Sequence, residues 1–285
     1  MKLLNPDKRV IWLVFGLVLA APIFLPVRLP PLEVSDPARA FYRELEAVPP
    51  GGIIALSIDF IPSFNTELEP AADAVCRHAF RRGVRVIGLS LVDGAVGTAQ
   101  MVIERNARRF NRVYGRDYVY LGWQPNEAFV IQGLATGFAN VFPKDSHGTP
   151  LERLEIFNGV RTLHDIPLVV QVGAGFDGFP PWLAYGTDKT GGKLLIACNG
   201  GAELSLRPYY SSGQLAGLAP SVRGGAEYEQ LLGYYGPATR ALNAISLGQL
   251  FLLLLMLLSN FLFWRSKGYP LPLRAPRSKP PDGPV

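Results

Sequence analysis

The sequence predicts an α/β domain with a doubly wound, mostly parallel sheet flanked by helices, together with two transmembrane helices. Three observations predict it. Apolar runs of strand length alternate with longer helical segments from residue 53 to residue 232. Two longer apolar runs, one near each end of the chain, contain no charged residue. The net charge of +5 lies in the terminal segments, whereas residues 28–240 carry a net charge of −1.

The composition excludes two broad classes of protein. Hydrophobic residues make up 48% of the 285 residues, which excludes an intrinsically disordered chain. The sequence pI of about 9.2 is typical of nucleic-acid-binding proteins. The excess basic residues are confined to the two ends, however, so no overall attraction to a phosphate backbone follows. We therefore expect no nucleic-acid partner.

The two apolar runs have the length of membrane spans. Val10 to Val27 is 18 residues long and Ile245 to Trp264 is 20 residues long. Eighteen residues of helix cover about 27 Å, close to the thickness of a bilayer core. We interpret the first run as an uncleaved signal-anchor. The alternative is a cleaved signal peptide, because Leu19-Ala20-Ala21 loosely resembles a cleavage site.

Basic residues flank both runs, and positive flanks stay on the cytoplasmic side. This predicts a two-pass protein of the plasma (inner) membrane, with both termini cytoplasmic and the main domain periplasmic or extracellular. The predicted segments are a cytoplasmic N-terminus (1–9), the first span (10–27), the extracytoplasmic α/β domain (28–240), the second span (243–264) and a basic, proline-rich cytoplasmic tail (265–285).

Polar and small residues within the two runs predict helix packing. Gln249 and Asn260 lie on one stripe of the second run, and a side-chain amide in lipid seeks a partner on another helix. Gly16 and Gly248 belong to small-xxx-small pairs, which allow two helix backbones to approach closely. These four residues are the predicted transmembrane packing residues.

The alternation inside the domain predicts five strands and several helices. The predicted strands are Ile53 to Phe60, Val84 to Val92, Tyr118 to Trp123, Leu168 to Val172 and Leu194 to Cys198. The predicted helices are Pro37 to Glu46, Glu67 to Arg82, Val96 to Tyr114, Ala128 to Phe142 and Glu227 to Leu232.

Polar residues follow several of these strands. Asp59, Asp93, Asp177 and Asn199 stand at or just after strand carboxyl ends, where doubly wound sheets bind ligands. One interpretation is a small-molecule or metal site. The other is ordinary loop and cap chemistry, because Asp and Asn favour turns and helix N-caps.

Cys198 suggests a second kind of site. It ends a strand and is followed by Asn-Gly-Gly, and His147 with Gly148 lies 51 residues upstream, an arrangement that resembles caspase-like cysteine proteases. Two features disagree with the resemblance: His147 follows a helical segment, and no basic residue adjoins Cys198. Alternatively, Cys76 and Cys198 are two buried free thiols, and an oxidising compartment would also allow one disulfide.

Other motifs are weak or missing. Gly173-x-Gly175-x-x-Gly178 matches a dinucleotide-binding pattern, but Phe179-Pro-Pro-Trp follows it instead of a long helix. The glycines are more typical of a tight turn. The sequence contains no HExxH, CxxC, P-loop or G-x-S-x-G, so we predict no cofactor and no metal.

Glycine interrupts the apolar segment 211–229 at positions 213, 217, 224 and 225. Together with Gly148-Thr-Pro-Leu and Gly51-Gly-Ile-Ile, this segment resembles an uncharacterised family of prokaryotic membrane proteins. That resemblance implies an α/β domain between two membrane spans and implies no activity. From composition alone, the segment is interpreted as an ordered loop that forms a subunit contact.

These observations favour a non-catalytic structural or binding subunit of a homo- or hetero-oligomeric membrane assembly. One alternative is a membrane-anchored hydrolase that uses Cys198 with His147, or the aspartates at the strand ends. The other is a sensor domain that binds a ligand at Asp59, Asp93 and Asp177.

Overall fold

The computed structural model of the chain describes residues 7–25, 27, 29–175 and 179–267. The chain divides into two compact units. One comprises Met1–Leu25 with Asn243–Val285, and the other comprises Pro26–Leu242.

The smaller unit contains helix α1 (Lys8–Phe24) and most of the long C-terminal helix α10 (Pro237–Lys267). Among the described residues, only Pro237–Arg265 is long and apolar enough to cross a membrane, and its apolar 18-residue window has a mean hydropathy of 2.2. Helix α1 has 17 residues, begins with two charged residues and covers roughly 26 Å, less than a bilayer core of about 30 Å. The sequence predicted two membrane-spanning helices. Among the described residues, only α10 has the length and composition of one.

The larger unit is built on a six-stranded sheet in which every neighbouring pair is parallel. Its spatial order is β3-β2-β1-β4-β5-β6. The strands are β1 (Ile53–Asp59), β2 (Arg85–Ser90), β3 (Tyr118–Trp123), β4 (Leu168–Gly173), β5 (Lys193–Cys198) and β6 (Gly217–Pro220). This confirms the predicted α/β class with a parallel sheet.

Helices cover both faces of the sheet. They are α2 (Asp36–Glu46), α3 (Asn65–Arg82), α4 (Val96–Arg109), α5 (Glu127–Thr136), α6 (Phe138–Val141), α7 (Phe179–Pro181), α8 (Glu203–Ser211) and α9 (Ser221–Leu231). A π-helical stretch (Trp182–Thr187) follows α7, and short 3-10 turns occupy several loops.

Two hydrophobic cores lie on opposite faces of the sheet. One packs α2, α3, α4 and α9 against the strands, and the other packs α5 to α8 and the π-helical stretch. Strand β1 serves both, because Ile54 and Leu56 belong to the first core while Ile53 and Ala55 belong to the second. Burial on both faces explains why the strand sequences read as continuous apolar runs.

The structure corrects the interpretation of the glycine-rich segment. Residues 217–220 form the edge strand β6 and residues 221–231 form helix α9, so most of the segment is regular secondary structure of the domain and only residues 212–216 form a loop. Close packing explains two of its glycines. A Cβ atom on Gly217 would lie 2.5 Å from the backbone of Phe41, and one on Gly224 would lie 2.5 Å from the backbone of Ala219.

Two predicted helices are also shorter than expected. The helix predicted over Val96 to Tyr114 ends at Arg109. The helix predicted over Ala128 to Phe142 is interrupted at Gly137, which leaves α5 and α6 as separate helices.

Candidate functional site

A crevice opens at the carboxyl edge of the sheet between β1 and β4. The strand order reverses there, since β2 and β3 lie on one side of β1 while β4, β5 and β6 lie on the other. Doubly wound sheets bind ligands at such a switch point. The cavity measures about 230 Å³ and is lined by Asp59, Phe60, Ile61, Phe64, Val92, Ala174, Gly175 and Asn199.

Asp59 is a buried carboxyl group in the lining of this crevice, with 1% of its surface exposed. One oxygen accepts a hydrogen bond from the Leu91 backbone N–H at 2.7 Å. The other accepts from the Ser57 hydroxyl at 2.7 Å and the Gln171 amide at 3.1 Å. Burial raises the pKa of Asp59 to about 7, although the three donors oppose the shift. The group can therefore exchange a proton near neutral pH.

Asn199 joins two of the loops that form the crevice. Its side-chain oxygen accepts a hydrogen bond from the Gly175 N–H at 2.9 Å. Gly175 has φ +73°, so the turn after β4 uses the left-handed conformation that glycine adopts readily. Asp59 and Asn199, both predicted from their position at strand ends, thus line one cavity.

The other two predicted ligand-binding residues lie elsewhere. Asp93 is exposed on the loop after β2, where its carboxylate accepts from the Gly94 N–H at 2.7 Å. It does not line the cavity, although its neighbour Val92 does. Asp177 lies outside the described residues, as does Gly178 of the glycine motif. Gly173 of that motif is the last residue of β4, Gly175 lies in the turn that follows, and helix α7 has only three residues before the π-helical stretch.

Cys198 is buried at the end of β5, with 1% of its surface exposed. Burial, followed by the negative charges of Glu203 and Glu67, raises the pKa of its thiol to about 12. Such a thiol is protonated at neutral pH and is a poor nucleophile. Cys76 is also buried, and both cysteines are free.

His147 lies beside α4 and not beside Cys198. Its ring packs at a tilt against that of Tyr114 with the centroids 4.4 Å apart, and its Nε2 atom is 3.8 Å from Glu104. Asp145 holds the loop in place by accepting from the His147 and Thr149 N–H groups. The loop joins β3 through a hydrogen bond to Tyr120. Strands β2, β1 and β4 separate β3 from β5, roughly 19 Å at about 4.8 Å per strand.

The predicted packing residues of the helical unit differ in their surroundings. Gly248 contacts α1 closely, since a Cβ atom there would lie 2.6 Å from Leu19. Gly16 has open space where its Cβ would be. Gln249 and Asn260 are exposed, and the Asn260 amide donates to the Met256 carbonyl of its own helix at 3.0 Å.

Sequence reasoning missed a second group of polar residues, which we name the His78 cluster: His78, Glu46, Tyr228 and Tyr42. The Tyr42 ring stacks on that of His78 with the centroids 4.9 Å apart. The His78 ring is fully buried, with Nδ1 2.6 Å from the Tyr228 hydroxyl and Nε2 2.7 Å from Glu46. Burial lowers the pKa of His78 to about 4, so the ring is neutral. Since the Glu46 carboxylate only accepts, Nε2 carries the proton and Nδ1 accepts from Tyr228.

No protein-family model, curated protein or solved structure matches this chain. The resemblance to a membrane-protein family therefore stays a prediction. Within the described residues, no group of three or more His, Cys, Asp or Glu side chains is placed to hold a metal ion.

Proposed function

We propose that this chain is a membrane-anchored, non-catalytic binding subunit whose α/β domain holds a small ligand in the crevice between β1 and β4. One observation carries the proposal. A cavity at the switch point of a parallel sheet combines apolar walls with two polar lining residues, Asp59 and Asn199. This combination is typical of small-molecule sites.

Binding is favoured over cysteine-dependent hydrolysis. A cysteine nucleophile needs a thiolate and a base within hydrogen-bond reach. Cys198 is buried with a raised pKa, and three strands lie between β5 and the strand nearest His147. Asp59 offers a proton-exchanging group in the crevice, and the Ser57 hydroxyl that donates to it is fully buried, so this arrangement favours ligand recognition over nucleophilic attack.

The two-pass topology and the assembly are part of the same proposal. Large apolar side chains of α1 are exposed, including Trp12 (66%) and Phe24 (82%), and lipid would cover them. The Gln249 amide would then lie in lipid without water, which favours a partner helix from another copy or subunit. The basic flanks favour cytoplasmic termini and an extracytoplasmic domain.

Ligand binding is tested by thermal unfolding of the full chain in detergent against a library of small cations, anions and neutral molecules. At least one compound should raise the Tm, because a ligand that binds only the folded state stabilises it. Val92→Trp fills the crevice and should abolish the shift. Val113→Trp, the same substitution at an exposed valine outside the lining, should preserve it. A library without any stabilising compound would contradict the proposal.

Assembly is tested by native mass spectrometry of the full chain in detergent. We expect an oligomer that Gln249→Leu weakens. Ser259→Leu, which lies off the stripe of Gln249 and Asn260, should leave the oligomer unchanged. A monomer without any partner would refute this part of the proposal.

A further inference from the structure

The size of the crevice restricts its ligand. The cavity of about 230 Å³ is smaller than the usual range of roughly 300–1,000 Å³ for drug-sized ligands. The strand order matches that of dinucleotide-binding sheets, but a dinucleotide is too large for this space. Five lining residues are apolar, so most of the ligand is apolar as well: Phe60, Ile61, Phe64, Val92 and Ala174.

The hydrogen bonds of Asp59 indicate what the ligand must offer. A carboxylate can accept about four hydrogen bonds, two at each oxygen. The oxygen that faces the Ser57 and Gln171 side chains accepts two. The other accepts one, from the Leu91 N–H, and so has room for a further donor. Because Asp59 lines the cavity, a ligand there can supply that donor.

The charges around the crevice favour a positive ligand. None of the described lining residues is basic. Glu127 acts electrostatically on Asp59, and Asp93 is exposed on the adjoining loop. Glu67 stands in the first turn of α3, where it offsets the positive helix end and accepts from the Gly200 N–H at 2.7 Å. A phosphate or carboxylate would therefore be repelled.

We propose that the crevice binds a small primary amine as its ammonium ion, with the ammonium group donating to Asp59 and a compact apolar body packed against Ile61, Phe64 and Val92. This inference rests on the proposed function, that the crevice is a ligand site. It adds the chemical class of the ligand.

Three probes of similar shape and different charge test the inference: 3-methylbutylamine, 3-methylbutanol and 3-methylbutanoate. Their affinities for the full chain in detergent are measured by ligand-observed NMR at pH 8. We expect the amine to bind at least tenfold more tightly than the alcohol, and the carboxylate to bind more weakly than both. Equal affinities of amine and alcohol, or tighter binding of the carboxylate, would overturn the inference.

Variants locate the binding. Asp59→Asn should bring the amine and the alcohol to similar affinities. Ile61→Lys places a positive charge on a lining residue that is 44% exposed, so the fold should tolerate it, and amine binding should be lost. Glu152→Gln, at an exposed carboxylate outside the cavity lining, should keep the tenfold preference. If the amine still binds to both Asp59→Asn and Ile61→Lys, it does not bind in the crevice and the inference is refuted.

The outcomes separate this inference from the proposed function. If anionic or neutral library compounds bind and Val92→Trp abolishes their binding, the crevice is a ligand site and only the assignment of an amine as its ligand is wrong. If neither the three probes nor any library compound binds, both proposals fail.

Discussion

The crevice and the His78 cluster both contain a buried titratable side chain, but they differ in what surrounds it. Both ring nitrogens of His78 already have protein partners. Asp59 retains one acceptor position and lines a cavity. A saturated hydrogen-bond network stabilises the packing of helices, whereas an unsaturated one beside a cavity can recognise a ligand. The difference shows that burial of a polar group alone does not identify a functional site.

Removal of the His78 side chain is expected to have the largest effect. His78→Ala leaves a cavity between α2, α3 and α9 and deprives the buried Tyr228 hydroxyl of its partner. We expect the free energy of unfolding to fall by about 3–5 kcal/mol. Denaturant unfolding of the full chain in detergent measures it. His164→Ala, at an exposed histidine in a 3-10 turn, should change stability by less than about 0.5 kcal/mol.

The two regions should respond to pH in opposite directions. The folded-state pKa of Asp59 is raised from 3.8 to about 7, so its contribution to stability is present at low pH and is lost as the pH rises through 7. The folded-state pKa of His78 is lowered from 6.5 to about 4, so its contribution grows as the pH rises from 4 to 6.5. The two slopes offset each other in the natural protein.

Asp59→Asn should remove the pH dependence that Asp59 contributes and leave that of His78. Without the Asp59 titration, the free energy of unfolding should rise with pH between 4 and 7 by about 2–4 kcal/mol more than in the natural protein. Denaturant unfolding at several pH values measures the difference. Asp93→Asn, at an exposed carboxylate, serves as the control and should keep the natural pH profile. An unchanged profile in Asp59→Asn would show that the carboxyl does not titrate near 7.

Tyr228→Phe tests whether the His78 cluster is saturated. The variant keeps the buried aromatic ring, which packs edge-on against Phe41 with the centroids 5.1 Å apart. It removes only the hydroxyl that donates to Nδ1 of His78. We expect a loss of about 1–2 kcal/mol in the free energy of unfolding. A loss below about 0.3 kcal/mol would mean that the ring nitrogen finds another partner.

The comparison of the crevice with the His78 cluster also shows which features of the molecule the sequence could predict. Five of the six strands follow from apolar runs, because burial on both faces leaves a pattern that needs no knowledge of contacts. Strand β6 was missed because its four residues, Gly217–Pro220, carry two residues that strands usually avoid. Packing against Phe41 requires the glycine, and that contact lies far away in sequence.

The candidate site was predictable only in part. Asp59 and Asn199 were found because the carboxyl ends of parallel strands meet at one edge. The apolar walls of the crevice, such as Ile61 and Phe64, could not be predicted. An apolar residue after a strand has no sequence pattern that marks it as part of a ligand site. The His78 cluster was also invisible, since its partners Glu46 and Tyr228 are 32 and 150 residues away.

His147 is a third case, a histidine that is neither buried nor beside the crevice, and it should give the smallest effect. Its side chain is 45% exposed and contacts Glu104 at 3.8 Å and the ring of Tyr114. His147→Ala should lower the free energy of unfolding by less than about 1 kcal/mol, since the loss is confined to partly exposed contacts with Glu104, Gln100 and the Tyr114 ring. The alkylation rate of Cys198, followed by mass spectrometry of the native chain, should stay equally slow, because burial and not a histidine base sets its reactivity. If Cys198 of the natural protein were alkylated rapidly and His147→Ala abolished that reaction, the result would support the cysteine hydrolase and contradict the separation of β3 from β5.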